Sequence, residues 1–170
     1  MECLLPAAAR IGELLKAGRE TVAVVESSSG GLVSAALLAV PGASAYFLGG
    51  AVVYTQRARI SLLDIPMAAM GDIRSSSEPY ATLLARTVRE RHETDWGIAE
   101  TGAAGPTGNR YGDAAGHTCI AVSGRVERVM TIETGQADRV ANMRAFASAL
   151  LALFEEVLTA RGPENRLPRT

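Results

Sequence analysis

Apolar residues recur at helical spacing at Leu4, Ala8, Ile11 and Leu15, and the pattern stops near Gly18, which predicts a first helix with one buried face ended by glycine. The run Thr21-Val22-Ala23-Val24-Val25-Glu26 is continuous and β-branched, as a buried strand reads. Ser27-Ser28-Ser29-Gly30-Gly31 then opens onto a second helical pattern at Leu32, Val33, Ala36, Leu37 and Val40. Pro41-Gly42-Ala43-Ser44 breaks it, and Gly49-Gly50-Ala51-Val52-Val53-Tyr54 predicts a second buried strand with Tyr54 at its end. Helical spacing resumes at Gln56, with Ile60, Leu62 and Leu63 apolar and Arg57 and Arg59 charged, and residues 66–74 read as a connector.

Ser77 is a good cap for a further helix through Leu83, Leu84 and Val88, since Pro79 is tolerated in a first turn. The Arg89-Glu90-Arg91-His92-Glu93 run reads as its solvated end. Trp96 to Glu100 predicts a third strand leading into the loop Thr101-Gly102-Ala103-Ala104-Gly105-Pro106-Thr107-Gly108. Thr118 to Val122 and Val126 to Ile132 flank Ser123-Gly124, a two-residue hairpin signal that requires an antiparallel pair and hence a mixed sheet. Val140, Met143, Ala147, Leu150, Leu151, Phe154 and Leu158 trace a long amphipathic helix able to cover the sheet. The expected organisation is one α/β domain over residues 1–161 and a frayed tail over 162–170.

The strand-to-helix turn is where composition alone suggests chemistry. Serine and glycine cap helices and permit unusual backbone angles, so first-turn amides facing outward would favour an anion. The competing reading is an ordinary capped helix. The loop at 101–108 is open in the same way: Gly102, Gly105 and Gly108 let backbone approach a ligand, or simply form a turn.

With 170 residues, a net charge of −1 and a pI near 6.1, nothing in the bulk charge attracts nucleic acid or anionic lipid. Cys3 and Cys119 define no disulfide framework, and with only His92 and His117 besides, a zinc site is not expected. No apolar run is long enough to span a membrane. The expectation is a soluble cytoplasmic protein, a homo-oligomer and plausibly a dimer, with a small-molecule partner and neither metal nor cofactor.

Glu26-Ser27-Ser28-Ser29-Gly30-Gly31, Pro41-Gly42-Ala43-Ser44, Gly50-Ala51-Val52-Val53-Tyr54, Ser77-Glu78-Pro79 and Thr101-Gly102-Ala103-Ala104-Gly105-Pro106, in this order and spacing, resemble the C-terminal domain of the CinA family of competence- and damage-inducible proteins. The resemblance implies a three-layer α/β/α sandwich on a mixed, mostly parallel sheet of about five strands. It also implies a nicotinamide-nucleotide amidase, an amidohydrolase converting nicotinamide mononucleotide to nicotinate mononucleotide and ammonia in pyridine nucleotide salvage. The family's Glu-Ser-Cys-Thr-Gly-Gly motif places the nucleophile at Ser27, with Ser28 and Ser29 where the family has Cys and Thr. Its tyrosine falls on Tyr54, and the lysine five residues on is here Arg59, which takes the remaining catalytic position. Substrate binding is implied at Glu26, Ser28, Ser29, Gly30, Gly31, Ser77, Thr101, Gly102 and Gly105.

A guanidinium stays protonated in proteins, so Arg59 cannot act as a general base. Three roles stay open: Arg59 polarises Tyr54 or binds phosphate, Glu26 or water takes the proton, or turnover is lost. The last would make the chain a catalytically impaired nucleotide-binding or regulatory module; a pocketless interaction domain ranks behind both. His117 stands where the family has a different strand entry, as a half-buried polar residue or a replacement base.

Overall fold

In the computed structural model, which describes residues 1–160, the chain runs α1 (Leu5–Gly18), β1 (Val22–Glu26), α2 (Leu32–Leu38), β2 (Phe47–Val52), α3 (Gln56–Leu63), α4 (Met67–Met70), α5 (Glu78–His92), β3 (Trp96–Ala103), β4 (His117–Ser123), β5 (Arg128–Glu133) and α6 (Arg139–Thr159). The tail expected at 162–170 lies outside the described residues. The strands lie in the order β2-β1-β3-β4-β5. β1 is parallel to β2 and β3, and β4 is antiparallel to β3 and β5, so β4 alone runs against the rest. This is the mixed, mostly parallel sheet of the expected α/β/α sandwich.

Strand alternation sorts the core into two layers. Val22 and Val24 of β1 face the cluster beneath α1, α2 and α6, with Ile11, Leu37 and Phe154, whereas Ala23 and Val25 face the cluster beneath α5, with Leu84 and Val88. β3 divides likewise, Trp96 and Ile98 to the first and Ala99 to the second, and β4 follows with Ile120 and Val122 against Cys119 and Ala121. Trp96 meets Phe154 edge to face at 5.8 Å between ring centroids. Each large side chain fully buried in this way contributes about 1.5–3 kcal/mol. Burial on both faces explains why β1 reads as an unbroken apolar run.

Five local expectations are corrected. β2 is an edge strand whose residues alternate between half-buried and exposed, because it has a neighbour on one side only. The inward face of α3 is carried by Arg59 and Leu63, while Ile60 and Leu62 are exposed, because the Arg59 guanidinium finds acceptors inside. The β4–β5 link spans residues 124–127 rather than two residues, with Gly124 lying against Trp96 where a Cβ would come within 2.2 Å of the indole. On α6, Val140 is exposed and Asn142 is buried, donating to the carbonyls of Ala104 and Gln136 at 2.8 Å each. β3 also runs three residues past Glu100, so Thr101 and Gly102 belong to a strand. Among the described residues no helix is long and apolar enough to cross a membrane.

The approach of α5 to β3 depends on Gly97, where a Cβ would lie 2.0 Å from the Ala85 carbonyl oxygen. Gly97→Ala is expected to lower the unfolding free energy by about 1–3 kcal/mol. A urea titration reads this as an earlier midpoint at unchanged slope; an unmoved midpoint would show that α5 yields without cost.

Candidate functional site

β1 connects to β2 on one side and the chain returns through β3 on the other, so the carboxyl ends of β1 and β3 flank the point where the connections diverge. Open α/β sheets seat ligands at such a point. The turn at residues 27–31 follows β1 there, and the loop at 104–116 follows β3.

Two buried carboxylates organise the turn. Glu26 is fully buried and accepts from the amides of Gly31 (3.0 Å), Val33 (3.0 Å) and Ser34 (2.8 Å) and from the hydroxyls of Ser34 (2.7 Å) and Ser29 (2.8 Å). The amides expected to face outward at the start of α2 are therefore largely taken by the protein's own carboxylate. Glu26, Ser29 and Gly31 form the frame beneath the site. Glu100, which sequence reading treated only as a strand residue, is equally buried. It accepts from the Ser27 amide (3.1 Å), the Ser29 amide (2.8 Å), the Thr118 hydroxyl (2.9 Å) and the Ser28 hydroxyl, and at 2.9 Å it competes with Glu26 for the single Ser29 hydroxyl proton. Gly30 takes the positive φ of 68° that the turn requires. Among the described residues, the Ser28 and Gly30 amides and the Ser27 hydroxyl meet no protein acceptor or donor.

A cavity of about 270 Å³ opens beside this frame, lined by Ser28, Tyr54, Gly102, Gly105, Asn109 and Arg139 among others. Arg139, the first residue of α6, donates through Nη2 to the Tyr54 phenol oxygen at 3.0 Å and through Nη1 to the Gly105 carbonyl at 2.7 Å. Its guanidinium carbon lies 5.8 Å from the centroid of the Tyr54 ring. The cation paired with Tyr54 is thus Arg139. Arg59 is only 3% exposed and donates to the Ile65 carbonyl at 3.2 Å and the Met67 sulfur at 3.0 Å. The phenol it faces is Tyr80, whose pKa burial raises while Arg59 opposes the rise.

Ser27 is half-buried and does not line the cavity; Ser28 does. Ser77 is the N-cap of α5, accepting from the Tyr80 amide at 3.4 Å and donating to the Arg74 carbonyl at 2.7 Å, so its hydroxyl is committed to the backbone. Thr101 is buried, its carbonyl accepting from Thr118 at 3.2 Å. Gly102 lines the cavity with bare backbone because a Cβ there would lie 2.4 Å from the His117 carbonyl oxygen. The structure therefore gathers Ser28, Tyr54, Gly102 and Gly105 around Arg139 and leaves Arg59 and Ser77 elsewhere. Arg139 carried a signal in the sequence: Asp138 caps α6, accepting from the Ala141 amide at 2.8 Å, and a helix that follows β5 begins at the carboxyl edge of the sheet.

His117 sits apart, its ring nitrogens facing Glu133 Oε1 at 2.5 Å and the Ser76 carbonyl at 2.9 Å, with Asp113 at 3.7 Å. Burial pulls its pKa down, but the hydrogen bonds to Glu133 and Ser76 and the charge of Asp113 outweigh it, and the net shift is upward. Asp113 itself is lowered, chiefly by its hydrogen bonds from Arg74. Among the described residues no group of histidine, cysteine and carboxylate side chains is placed to hold a metal. A larger open hollow of about 430 Å³ beside α5 and β5 is lined by Glu78, Thr82 and Arg86 together with Pro79, Leu83 and Val129.

The family model for the CinA C-terminal domain matches residues 5–158 of this chain. A CinA-like protein of Synechococcus sp. (strain CC9902) is 42% identical over 118 residues, 69% of this chain and 28% of that protein. A CinA-like protein of Crocosphaera subtropica is 33% identical over 143 residues, 84% of this chain and 35% of that protein. The chain spans about a quarter to a third of the length of the curated relatives it matches. Among solved structures, the competence/damage inducible protein CihA from Agrobacterium tumefaciens superposes with a TM-score of 0.83 at 25% identity, covering 92% of this chain and 95% of that one. The competence or damage-inducible protein from Enterobacter asburiae gives 0.85 at 25% identity, covering 91% and 98%.

The His117 geometry sets a pH dependence. A raised pKa means that the folded state holds the proton more tightly than the unfolded state, so the stabilisation is full below the ordinary histidine pKa of about 6.5 and is lost as pH rises through the folded value. Unfolding midpoints measured upward from about pH 6 should fall in this protein and stay flatter in His117→Gln. Parallel curves would remove His117 as the source.

Proposed function

This chain belongs to the CinA C-terminal domain family, and from that premise we propose that it hydrolyses the carboxamide of nicotinamide mononucleotide, or of a close pyridine nucleotide, releasing ammonia. The observation that carries the reading is the convergence of a serine hydroxyl, the Tyr54 phenol and the Arg139 guanidinium on one cavity at the sheet's switch point. A guanidinium fork suits a phosphate or carboxylate, and Arg139 keeps N–H donors beyond the two given to Tyr54 and Gly105. At about 270 Å³ the cavity lies just under the ~300–1,000 Å³ of most small-molecule pockets, which suits one end of a mononucleotide. Gly102 and Gly105 supply backbone at close range.

A second reading, nucleotide binding without turnover, is favoured by one specific observation. The position at which the family has lysine is a buried arginine turned to Ile65 and Met67, so no amine stands near Tyr54 as a base. Incubation of the purified protein with nicotinamide mononucleotide separates the two. Ammonia release supports the amidase; a binding isotherm without release supports the binder. Under the amidase reading Arg139→Ala is expected to raise KM about ten- to a hundredfold, the worth of one hydrogen bond to a charged group, with a smaller effect on kcat. Activity that appeared only in Arg59→Lys would mark the natural chain as a binder.

A further inference from the structure

Resting on that reading of the site, we propose that Asp113, gripped by Arg74, is a positioning residue: it sets Asn109 in the wall of the cavity as a hydrogen-bond donor to an oxygen of the nucleotide. Gly105, Thr107, Gly108 and Asn109, all in the loop after β3, border the cavity. Arg139 braces the near end of this wall through the Gly105 carbonyl at 2.7 Å. The far end, at Gly108 and Asn109, is braced by Asp113.

The Asn109 carboxamide is engaged mostly within its own loop. Its Oδ1 accepts from the amides of Tyr111 at 2.9 Å and Asp113 at 3.2 Å, and its Nδ2 donates to Asp113 Oδ2 at 2.8 Å. An amide nitrogen carries two hydrogens, so one is left for a ligand acceptor among the described residues. Asp113 fixes the backbone of the wall as well. Its carbonyl accepts from the Asn109 amide at 3.0 Å and stands so close behind Gly108 that a Cβ there would lie 2.1 Å from it. Both the course of the wall and the orientation of the Asn109 side chain therefore follow the position of Asp113.

That position is set from outside the loop. Arg74, in the segment joining α4 to α5, meets the carboxylate with both arms of its fork, Nη1 to Oδ2 at 2.6 Å and Nη2 to Oδ1 at 3.0 Å. A bidentate pair of this kind fixes direction as well as distance. The Asp113 side chain is only 12% exposed, so water competes for it less than at an open surface pair. Arg74 Nη1 also lies 3.3 Å from each of the Ser75 and Ser76 carbonyls, and the Ser76 carbonyl is shared with His117 Nε2 at 2.9 Å. Ser76 is buried with a left-handed φ of 55°, a conformation that a serine keeps only where its surroundings over-determine it. The segment that carries Arg74 is thus itself pinned, and it transmits a fixed position to the cavity wall.

Two measurements on the full chain test this. Without ligand, hydrogen–deuterium exchange over residues 105–113 is expected to be about tenfold faster in Arg74→Gln than in the unmutated protein, with β1 and α6 unchanged; equal exchange in the two proteins overturns the proposal. With nicotinamide mononucleotide, Arg74→Gln, Asp113→Asn and Asn109→Ala are each expected to raise KM about three- to tenfold with kcat kept, as the loss of one hydrogen bond predicts. Asp113→Asn is expected to add nothing once Asn109 is alanine, because the two act as one unit. Additive effects, or a lowered thermal midpoint with KM unmoved, would show a carboxylate that serves the fold and not the ligand. In a chain that binds the nucleotide without releasing ammonia, the dissociation constant replaces KM in the same comparison. A chain that neither binds nor hydrolyses it loses that substrate and the Asn109 contact with it, while the exchange rates still decide whether Arg74 and Asp113 set the wall.

Discussion

Two carboxylates with no access to water set the terms for everything around them. An ionised carboxylate taken out of solvent costs several kcal/mol unless its lone pairs are met. Glu26, at the carboxyl end of β1, and Glu100, on the neighbouring parallel strand β3, are both fully buried, and each draws on the turn at 27–31, Glu26 also on the first residues of α2. Two of the three serines answer that demand with their hydroxyls, Ser28 to Glu100 and Ser29 between the two acids. A hydrogen bond to a charged acceptor contributes about 1.5–3 kcal/mol, so the turn is held more firmly than its glycines suggest.

A rigid frame of this kind changes what the helix terminus is for. The positive end of α2 is satisfied from inside by Glu26, so it offers little to a ligand. The cation that borders the cavity stands instead at the start of α6, where Arg139 braces Tyr54 and the Gly105 carbonyl. The guanidinium and the Ser28 hydroxyl thus reach one cavity from different elements, α6 and the turn after β1.

Local pattern was enough to read the buried strand at Val22 to Glu26, the cap at Ser77, the antiparallel turn after β4 and the long helix ending the described residues, because each depends on neighbours within a few positions. The orientation of α3 was not readable: Ile60 and Leu62 look like its core face, yet tertiary acceptors draw Arg59 inward. β2 reads as buried because its glycines mimic a close-packed strand, when they serve to admit His92 and Ser34 from the helices on either side of an edge. Within the site, Ser28, Tyr54, Gly102 and Gly105 were visible as turn and strand-end residues. Glu100 was not, since an acid in an apolar run declares burial but not its partner; Arg139 was marked only by its place after the Asp138 cap, since its partners are 34 and 85 residues away in sequence.

That remoteness bears on when the turn becomes fixed during synthesis. Ser28 and Glu100 are separated by 72 positions, and β1 cannot be flanked on both sides until β3 has docked. Closing so large a loop is slow relative to forming local helices. A nascent or half-assembled chain therefore holds the serine turn on Glu26 alone, and its second anchor, Glu100, arrives only with the finished sheet.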